Sequence, residues 1–329
     1  MTVKVAVIGV GSMGKHHARV YSELKNVELV AVSDINKNLG KKIAEKYGCN
    51  FYSNYNEMLE KEKIDAISVV VPTKLHAKVA VDCINKNKHV LIEKPIASNL
   101  NEANHIIHVA KKKGIKLMVG HIERFNPAVR KIKEMINEGK FGNIISLISR
   151  RVGLFPPQIK DINVILDLAV HDIDVFNFIL EKNPKAVFAV SGKALINNRE
   201  DYADITLKYN GINAFIQVNW ITPVKIRILN LTGTKGYGEL NYIKQEVKFF
   251  KSVYKRIADN SFEEVIKFST PIVKNIPINK EEPLKNELKS FISYINGGEC
   301  LSSGDDALKA IKIAELAIQS CIKGKMIYL

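Results

Sequence analysis

Cysteine is scarce and scattered in this chain of 329 residues: Cys49, Cys83, Cys300 and Cys321 stand far apart, with no Cys-x-x-Cys pair. That spacing excludes a zinc finger or ribbon and a disulfide framework, and it fits a reducing cytoplasm. No metal site is expected. No apolar run approaches the ~20 residues a membrane-spanning helix needs. The opening stretch, Met1 to Gly9, is of strand length and runs into polar Ser12 and Lys15-His16-His17, which is not a signal-peptide pattern. Internal repeats and low-complexity segments are lacking too. Acidic residues are the minority charge, 34 against 49 basic, for a net +15. The surplus suggests either an anionic partner or a lysine-rich surface. Lysines and arginines are spread over both halves, and no zinc-finger or RNA-recognition signature accompanies them, so nucleic acid is not the expected partner.

What is present is an ordinary globular composition, 46% hydrophobic and 25% charged, which excludes a disordered or fibrous chain. The length implies two domains. Up to residue 120, short Val/Ile-rich runs alternate with amphipathic stretches. Val3 to Ile8, Val27 to Ser33, Ala66 to Val71, His89 to Ile92 and Lys116 to Val119 read as buried strands. Lys15 to Leu24, Lys37 to Lys46, His76 to Asn85 and Asn101 to Lys113 read as helices, with Gly114 as a C-terminal cap. This alternation predicts an α/β domain with a doubly wound parallel sheet.

From residue 121 to 329 the pattern changes. Helices are predicted over Pro127 to Glu138, Asp167 to Leu180, Glu281 to Asn296 and Asp305 to Lys323. Strands are predicted over Ala186 to Ser191, Ala203 to Tyr209, Ala214 to Trp220, Ile226 to Leu231 and Gly238 to Tyr242, with Asn210-Gly211 as a hairpin turn. This second part reads as an α+β domain with an open, mostly antiparallel sheet. One side of the strand Ala214 to Trp220 is apolar and the other mixed, and the mixed side could meet a second subunit.

Two places carry chemistry. Gly9-Val10-Gly11-Ser12-Met13-Gly14 follows a strand and opens a helix. In that context the first glycine permits the turn, the second admits a pyrophosphate and the third lets helix and strand pack closely. The helix N-terminus adds free N–H donors. Asp34, twenty residues after Gly14, ends the second strand; its carboxylate suits ribose hydroxyls and repels a 2′-phosphate, so NAD is expected over NADP. The second place is Glu93-Lys94-Pro95, at the carboxyl end of a parallel strand, together with Asp167 and His171, four apart on a predicted helix. An imidazole can accept a hydroxyl proton, and a nearby carboxylate stabilises the imidazolium. Taken singly, Lys94 reads better as a solvated lysine and Asp167 with His171 better as a helix surface pair, while Asp172 and Asp174 read as caps or surface groups.

Together these motifs resemble the glucose–fructose oxidoreductase / inositol dehydrogenase / rhizopine catabolism family. The resemblance spans essentially the whole chain. It rests on the Gly9 to Gly14 turn, Val71-Pro72-Thr73 with His76, Glu93-Lys94-Pro95, and Asp167-Leu168-Ala169-Val170-His171-Asp172. It implies a Rossmann domain followed by a domain with an open sheet, a homodimer or homotetramer, and Lys94, Asp167 and His171 as the catalytic set. It further implies that Val71, Thr73, His76, Glu93 and Lys94 line the cofactor and that the Lys94–Pro95 bond is often cis. Gly120 to Pro127 is similar to the stretch found in members acting on UDP-N-acetylhexosamines, so oxidation at C3 of UDP-N-acetylglucosamine or a related UDP-sugar is expected. In that stretch His121, Arg124 and Asn126 are candidate substrate ligands, with Arg151 beyond it. Arg124 reads either as a phosphate ligand or as a brace at the domain junction, with Phe125 in the core. Arg150, Arg151 and Lys160 are placed in or near a loop around Phe155-Pro156-Pro157. The alternatives are an inositol or free-sugar dehydrogenase and a non-catalytic dinucleotide-binding regulator.

Overall fold

The computed structural model describes residues 2–155, 162–258 and 264–329. It divides into two compact units that are discontinuous in sequence. Unit 1 comprises Met1–Phe125, Pro156–Val170 and Glu282–Glu315; unit 2 comprises Asn126–Phe155, His171–Glu281 and Leu316–Leu329. The sequence places a single join near residue 121. The partition differs because the tail helix over 283–295 carries Leu284, Leu288 and Phe291 into the same apolar cluster as Val5, Val7 and Tyr21.

Unit 1 is built from β1 (Val3–Ile8), α1 (Gly14–Glu23), β2 (Val27–Ser33), α2 (Lys37–Tyr47), β3 (Asn50–Tyr52), α3 (Tyr55–Lys61), β4 (Ala66–Val69), α4 (His76–Asn85), β5 (His89–Glu93), α5 (Leu100–Lys112) and β6 (Leu117–Gly120). The six strands are all parallel, in the order β3-β2-β1-β4-β5-β6. Strands such as Val-Lys-Val-Ala-Val-Ile are apolar nearly throughout because helices cover both faces. The order reverses between β1 and β4, and ligands of such sheets bind beyond the strand ends at that point. The helix ends follow local chemistry. The Asn99 side chain caps α5 by accepting from the Glu102 N–H, and Gly114, at φ +65°, closes it where the sequence expects a capping glycine.

Unit 2 contains α6 (Pro127–Asn137), β7 (Ile144–Leu154), most of α7 (Val170–Leu180), β8 (Ala186–Gly192), β9 (Tyr202–Lys208), β10 (Asn213–Asn219), β11 (Ile221–Gly233), β12 (Gly236–Asn241), β13 (Glu246–Lys251), β14 (Tyr254–Ala258), β15 (Glu264–Phe268) and β16 (Ile272–Ile276). Helices α8 (Pro283–Ile295) and α9 (Gly304–Lys323) and strand β17 (Ile327–Tyr328) follow. Nine strands form one sheet, β16-β13-β12-β11-β7-β10-β9-β8-β17, in which only β7 and β10 run parallel. The Asn210-Gly211 turn joins antiparallel β9 and β10, with Gly211 at φ +76°. In β10 Ala214, Ile216 and Val218 are buried and Phe215 is exposed, as the alternation predicts.

Two local readings change. Arg150 and Arg151, expected to flank a loop, lie within strand β7, which the sequence does not predict. The strand is masked in sequence because its buried face carries Ser149 and Arg151 while Ile145 and Ile148 face outward. Lys160 and Pro156-Pro157 lie outside the described residues. The helix expected from Asp167 begins earlier, as a π-helical turn over Ile165–Ala169 that runs into α7. Asn163 starts it, its side chain accepting from the Leu166 N–H and its carbonyl from the Asp167 N–H. Among the described residues no helix is long and apolar enough to cross a membrane.

Candidate active site

The glycine turn after β1 is sterically specified. Gly9 has φ +86°, and a Cβ there would lie 2.5 Å from the Val70 carbonyl oxygen. A Cβ on Gly14 would lie 1.8 Å from the Gly9 carbonyl oxygen, whereas one on Gly11 would meet nothing within 4 Å. Gly9 and Gly14 are thus needed to fold the turn, and Gly11 leaves the backbone open to a close approach. Ser12 and Met13 are exposed beside it. Helix α1 has no acidic residue in its first turn and no side-chain cap, so the partial positive charge of its N-terminus is open to an anion. Asp34 accepts from the Val10 N–H and the Asn36 N–H, both at 2.8 Å, which fixes its carboxylate against the turn. These residues fit a dinucleotide.

Two neighbouring strand ends add the next layer. Thr73 opens a short 3₁₀ turn, Thr73–Leu75, just before α4. Val71 and Pro95 both present carbonyl oxygens to His76, whose ring nitrogens each lie 2.8 Å from one of them. His76 therefore ties the segment after β4 to the segment after β5. At the end of β5, one Glu93 carboxylate oxygen is 3.0 Å from His17 Nε2 and the other accepts from the Lys94 N–H at 3.1 Å. The Lys94–Pro95 peptide is cis. Lys94 Nζ donates to the Asp167 main-chain carbonyl at 2.8 Å and to its carboxylate at 2.9 Å. The structure thus brings Lys94 and Asp167 together, where sequence spacing had assigned Asp167 to His171 alone. His171 is the second residue of α7, and the division between the two units falls just before it.

Electrostatics distinguish the buried acids. Burial works to raise the Glu93 carboxyl, but the hydrogen bond and charge of His17, with Lys94, outweigh it and hold it below the usual carboxylate range. Asp306 is likewise pulled down against its burial, chiefly by the Arg124 guanidinium and by bonds from Ser303. Burial pushes the Glu287 carboxyl well up, and the Glu93 charge adds to this.

Three of the four candidate substrate ligands, Arg124, Arg151 and Asn126, have partners within the fold. Arg124 is buried, with Nη1 3.1 Å from both the Leu301 carbonyl and the Asp306 carboxylate. These contacts lie within unit 1. Arg151 is 2% exposed and forms a bidentate pair with Asp172, at 2.7 and 3.1 Å, with its guanidinium 4.8 Å from the Tyr242 ring centroid. Asp172 and Asp174 are accordingly buried, not caps or surface groups. Asn126 caps α6 through the Ala128 N–H and donates to the Tyr242 carbonyl. His121 is buried at the end of β6.

Three residues of this region escaped the sequence reading: His17, Ser68 and Glu287. His17 shares a stripe with the buried Val20 and Tyr21, and Glu287 one with Leu284, Leu288 and Phe291. A titratable side chain on an apolar stripe of an amphipathic helix is the signal that could have found His17 and Glu287; Ser68, within strand β4, leaves none.

With this geometry in place, comparison with known proteins is informative. Residues 3–121 match the model of an oxidoreductase family with an NAD-binding Rossmann fold, and residues 129–239 match the GFO/IDH/MocA C-terminal domain. The chain belongs to the GFO/IDH/MocA oxidoreductases, a family of NAD(P)-dependent sugar dehydrogenases. It is 28% identical to a UDP-N-acetylglucosamine 3-dehydrogenase of Acidithiobacillus ferrooxidans, over 75% of this chain and 77% of that protein. It is 26% identical to an inositol 2-dehydrogenase of Rhizobium meliloti, over 99% of both. The solved structure of the Acidithiobacillus enzyme shares the fold with a TM-score of 0.84 at 24% identity, covering 97% of this chain and 98% of that one.

Proposed function

We propose that this chain is an NAD-dependent dehydrogenase that oxidises a sugar ring hydroxyl to a ketone, at C3 of UDP-N-acetylglucosamine or a related UDP-sugar. The observation that carries the reading is the clamp of Lys94 by Asp167 at the carboxyl end of β5, in the unit that holds the glycine turn. Bound NAD supplies the acceptor for the hydride that leaves the carbon. Gly9, Gly11, Ser12, Met13 and Gly14 hold its pyrophosphate, and Val71, Thr73, His76 and Glu93 shape the wall beyond. A carboxylate offers about four acceptor positions, and Asp34 gives two to backbone N–H groups. The others suit ribose hydroxyls, and the charge opposes a 2′-phosphate, which favours NAD over NADP.

The ammonium of Lys94 has three N–H donors, two of them given to Asp167. The third polarises the substrate oxygen. His171 takes the hydroxyl proton, and the Asp167 carboxylate stabilises the imidazolium. The hydroxyl hydrogen thus leaves as a proton and the carbon-bound hydrogen as hydride. The chain acts as a homodimer or homotetramer. Supporting this, Phe215 and Ile148 pair across β10 and β7 and are both exposed.

The UDP-sugar reading is supported by the Acidithiobacillus relative and the segment Gly120 to Pro127. A second reading, an uncharged polyol such as inositol, is favoured by one observation: Arg124 and Arg151 each already hold a carboxylate within the fold. Steady-state NADH formation by the purified protein with UDP-N-acetylglucosamine, myo-inositol and glucose separates the two. Light-scattering mass measurement tests the oligomer.

A further inference from the structure

Beneath the Lys94 turn lies a buried polar cluster in which Glu93 is joined by His17 and Glu287, two residues the proposed reaction does not use. One oxygen each of Glu93 and Glu287 and one ring nitrogen of His17 lie within 4.8 Å of one another, and all three residues are buried. Glu287 comes from α8 and is 0% exposed. Its two carboxylate oxygens are buried without a hydrogen-bond partner.

The groups around it can be named element by element. From α1 come His17 and Tyr21; the Tyr21 hydroxyl is 2.8 Å from Ser68 Oγ on β4, and Ser68 Oγ is 3.2 Å from His17 Nδ1. From β5 comes Glu93. The short turn Ile122–Phe125 packs on α8 and carries Glu123 and Arg124, with Arg124 paired to Asp306. On α8 itself, Lys285 pairs with Glu23 and Glu282 with Arg19 at the exposed rim. Gly120 on β6 is tight against the cluster, since a Cβ there would lie 3.2 Å from the Glu93 carboxyl carbon.

Charge counting decides what this cluster holds. Two carboxylates face one imidazole in a site closed to water, and a buried carboxylate without its own cation or donors takes a proton. A metal ion fits less well. Both ring nitrogens of His17 and both oxygens of Glu93 are already within bonding distance of a partner. A cation would displace those bonds, and a proton on Glu287 displaces none.

We propose that Glu287 is a positioning residue for Lys94: a neutral carboxylic acid that supports the charged Glu93 carboxylate, which in turn grips the Lys94 N–H and ties to His17. The inference rests on the reading of Lys94 as the group that meets the substrate oxygen. An ionised Glu287 would set a second negative charge against Glu93 and loosen that grip. The upward displacement of the Glu287 carboxyl agrees with this. An acid whose pKa rises on folding stabilises the fold fully below its unfolded value, and that contribution is lost as pH rises through the folded value.

The test compares wild type with Glu287→Gln, which keeps shape and neutrality, and with Glu287→Ala. Between about pH 5 and pH 9 the thermal midpoint of wild type should fall relative to that of Glu287→Gln, the gap widening with pH. Parallel curves would overturn the proposal, as would a stoichiometric metal ion in the purified protein that Glu287→Gln loses. In turnover, Glu287→Gln should keep kcat within about threefold, while Glu287→Ala lowers kcat about tenfold with the KM for NAD within about twofold. Equal loss of kcat in both variants would contradict the neutral-acid role, and if Glu287→Ala does not fold, the glutamine variant alone decides. The midpoint measurement needs no substrate, so it reads Glu287 even if Lys94→Ala should leave turnover intact and overturn the reading of Lys94.

Discussion

Lys94 Nζ donates to both the main-chain carbonyl and the carboxylate of Asp167, residues 73 apart in sequence. Their side chains are 15% and 8% exposed. A lysine in a chain with net charge +15 has many chances to be solvated; this one is held in place.

Removing either partner should therefore act on the reaction more than on the cofactor. Lys94→Ala and Asp167→Asn should lower kcat by about 10²–10⁴-fold, in the range of a lost general acid–base group. NAD affinity, read by fluorescence titration, should stay within a few-fold. Near-normal turnover in both variants would remove these residues from the mechanism.

On the proposed reading Asp34 selects NAD over NADP. Asp34→Ala should weaken NAD by about 10-fold or more and narrow the preference for NAD over NADP, read as the ratio of kcat/KM values. An unchanged ratio would mean that the 2′ position is read elsewhere.

The glycine turn yields a steric prediction. Gly14→Ala places a Cβ 1.8 Å from the Gly9 carbonyl oxygen, which a fixed backbone cannot accommodate. We expect a loss of about 1–3 kcal/mol in stability together with loss of NAD binding, measured by denaturant unfolding and titration. Gly11→Ala, facing open space, should unfold like wild type and lose only the cofactor.

How much of this was legible in sequence depends on how local the cause is. The Gly9 to Gly14 turn, Asp34 and the doubly buried strands are specified within a few residues, and their positions hold nearly to the residue. The three-residue β3 and seven-residue α3 are too short to leave a period. Strand β7 hides its alternation because Arg151 occupies a buried position, which makes sense only once Asp172 is known to face it. The same long-range pairing is why Asp172, which reads in sequence as a cap or surface group, is buried. The tail helix was found, but not its company: nothing near Glu287 in sequence says that His17 and Glu93 lie beside it. For Asp167, the four-residue spacing pointed to His171, and the contact with Lys94 emerged from the tertiary fold alone.

The Arg151–Asp172 pair is 2% and 0% exposed, so its parts are not independent. Arg151→Ala or Asp172→Ala should each cost about 3–5 kcal/mol by stranding a buried charge. The double variant Arg151→Met with Asp172→Leu should lose less than either single change, read from denaturant midpoints. Additive losses would show that the two residues do not depend on each other.

The pH dependence at the acid end follows from Glu93 and Asp306, both held below their ordinary range. Such carboxylates stabilise the fold above their unfolded values, about pH 4, and that contribution is lost as pH falls through the lower folded values. Thermal midpoints should drop on acidification below about pH 4. Asp306→Asn should flatten part of the drop, and an unchanged acid limb would contradict the Arg124 pairing.

Initial rates of NADH formation identify the substrate. With UDP-N-acetylglucosamine, myo-inositol and glucose offered in parallel, UDP-N-acetylglucosamine should give the highest kcat/KM, and the signal should vanish in Lys94→Ala. A higher kcat/KM for myo-inositol, or no NADH from any of them, would contradict the account.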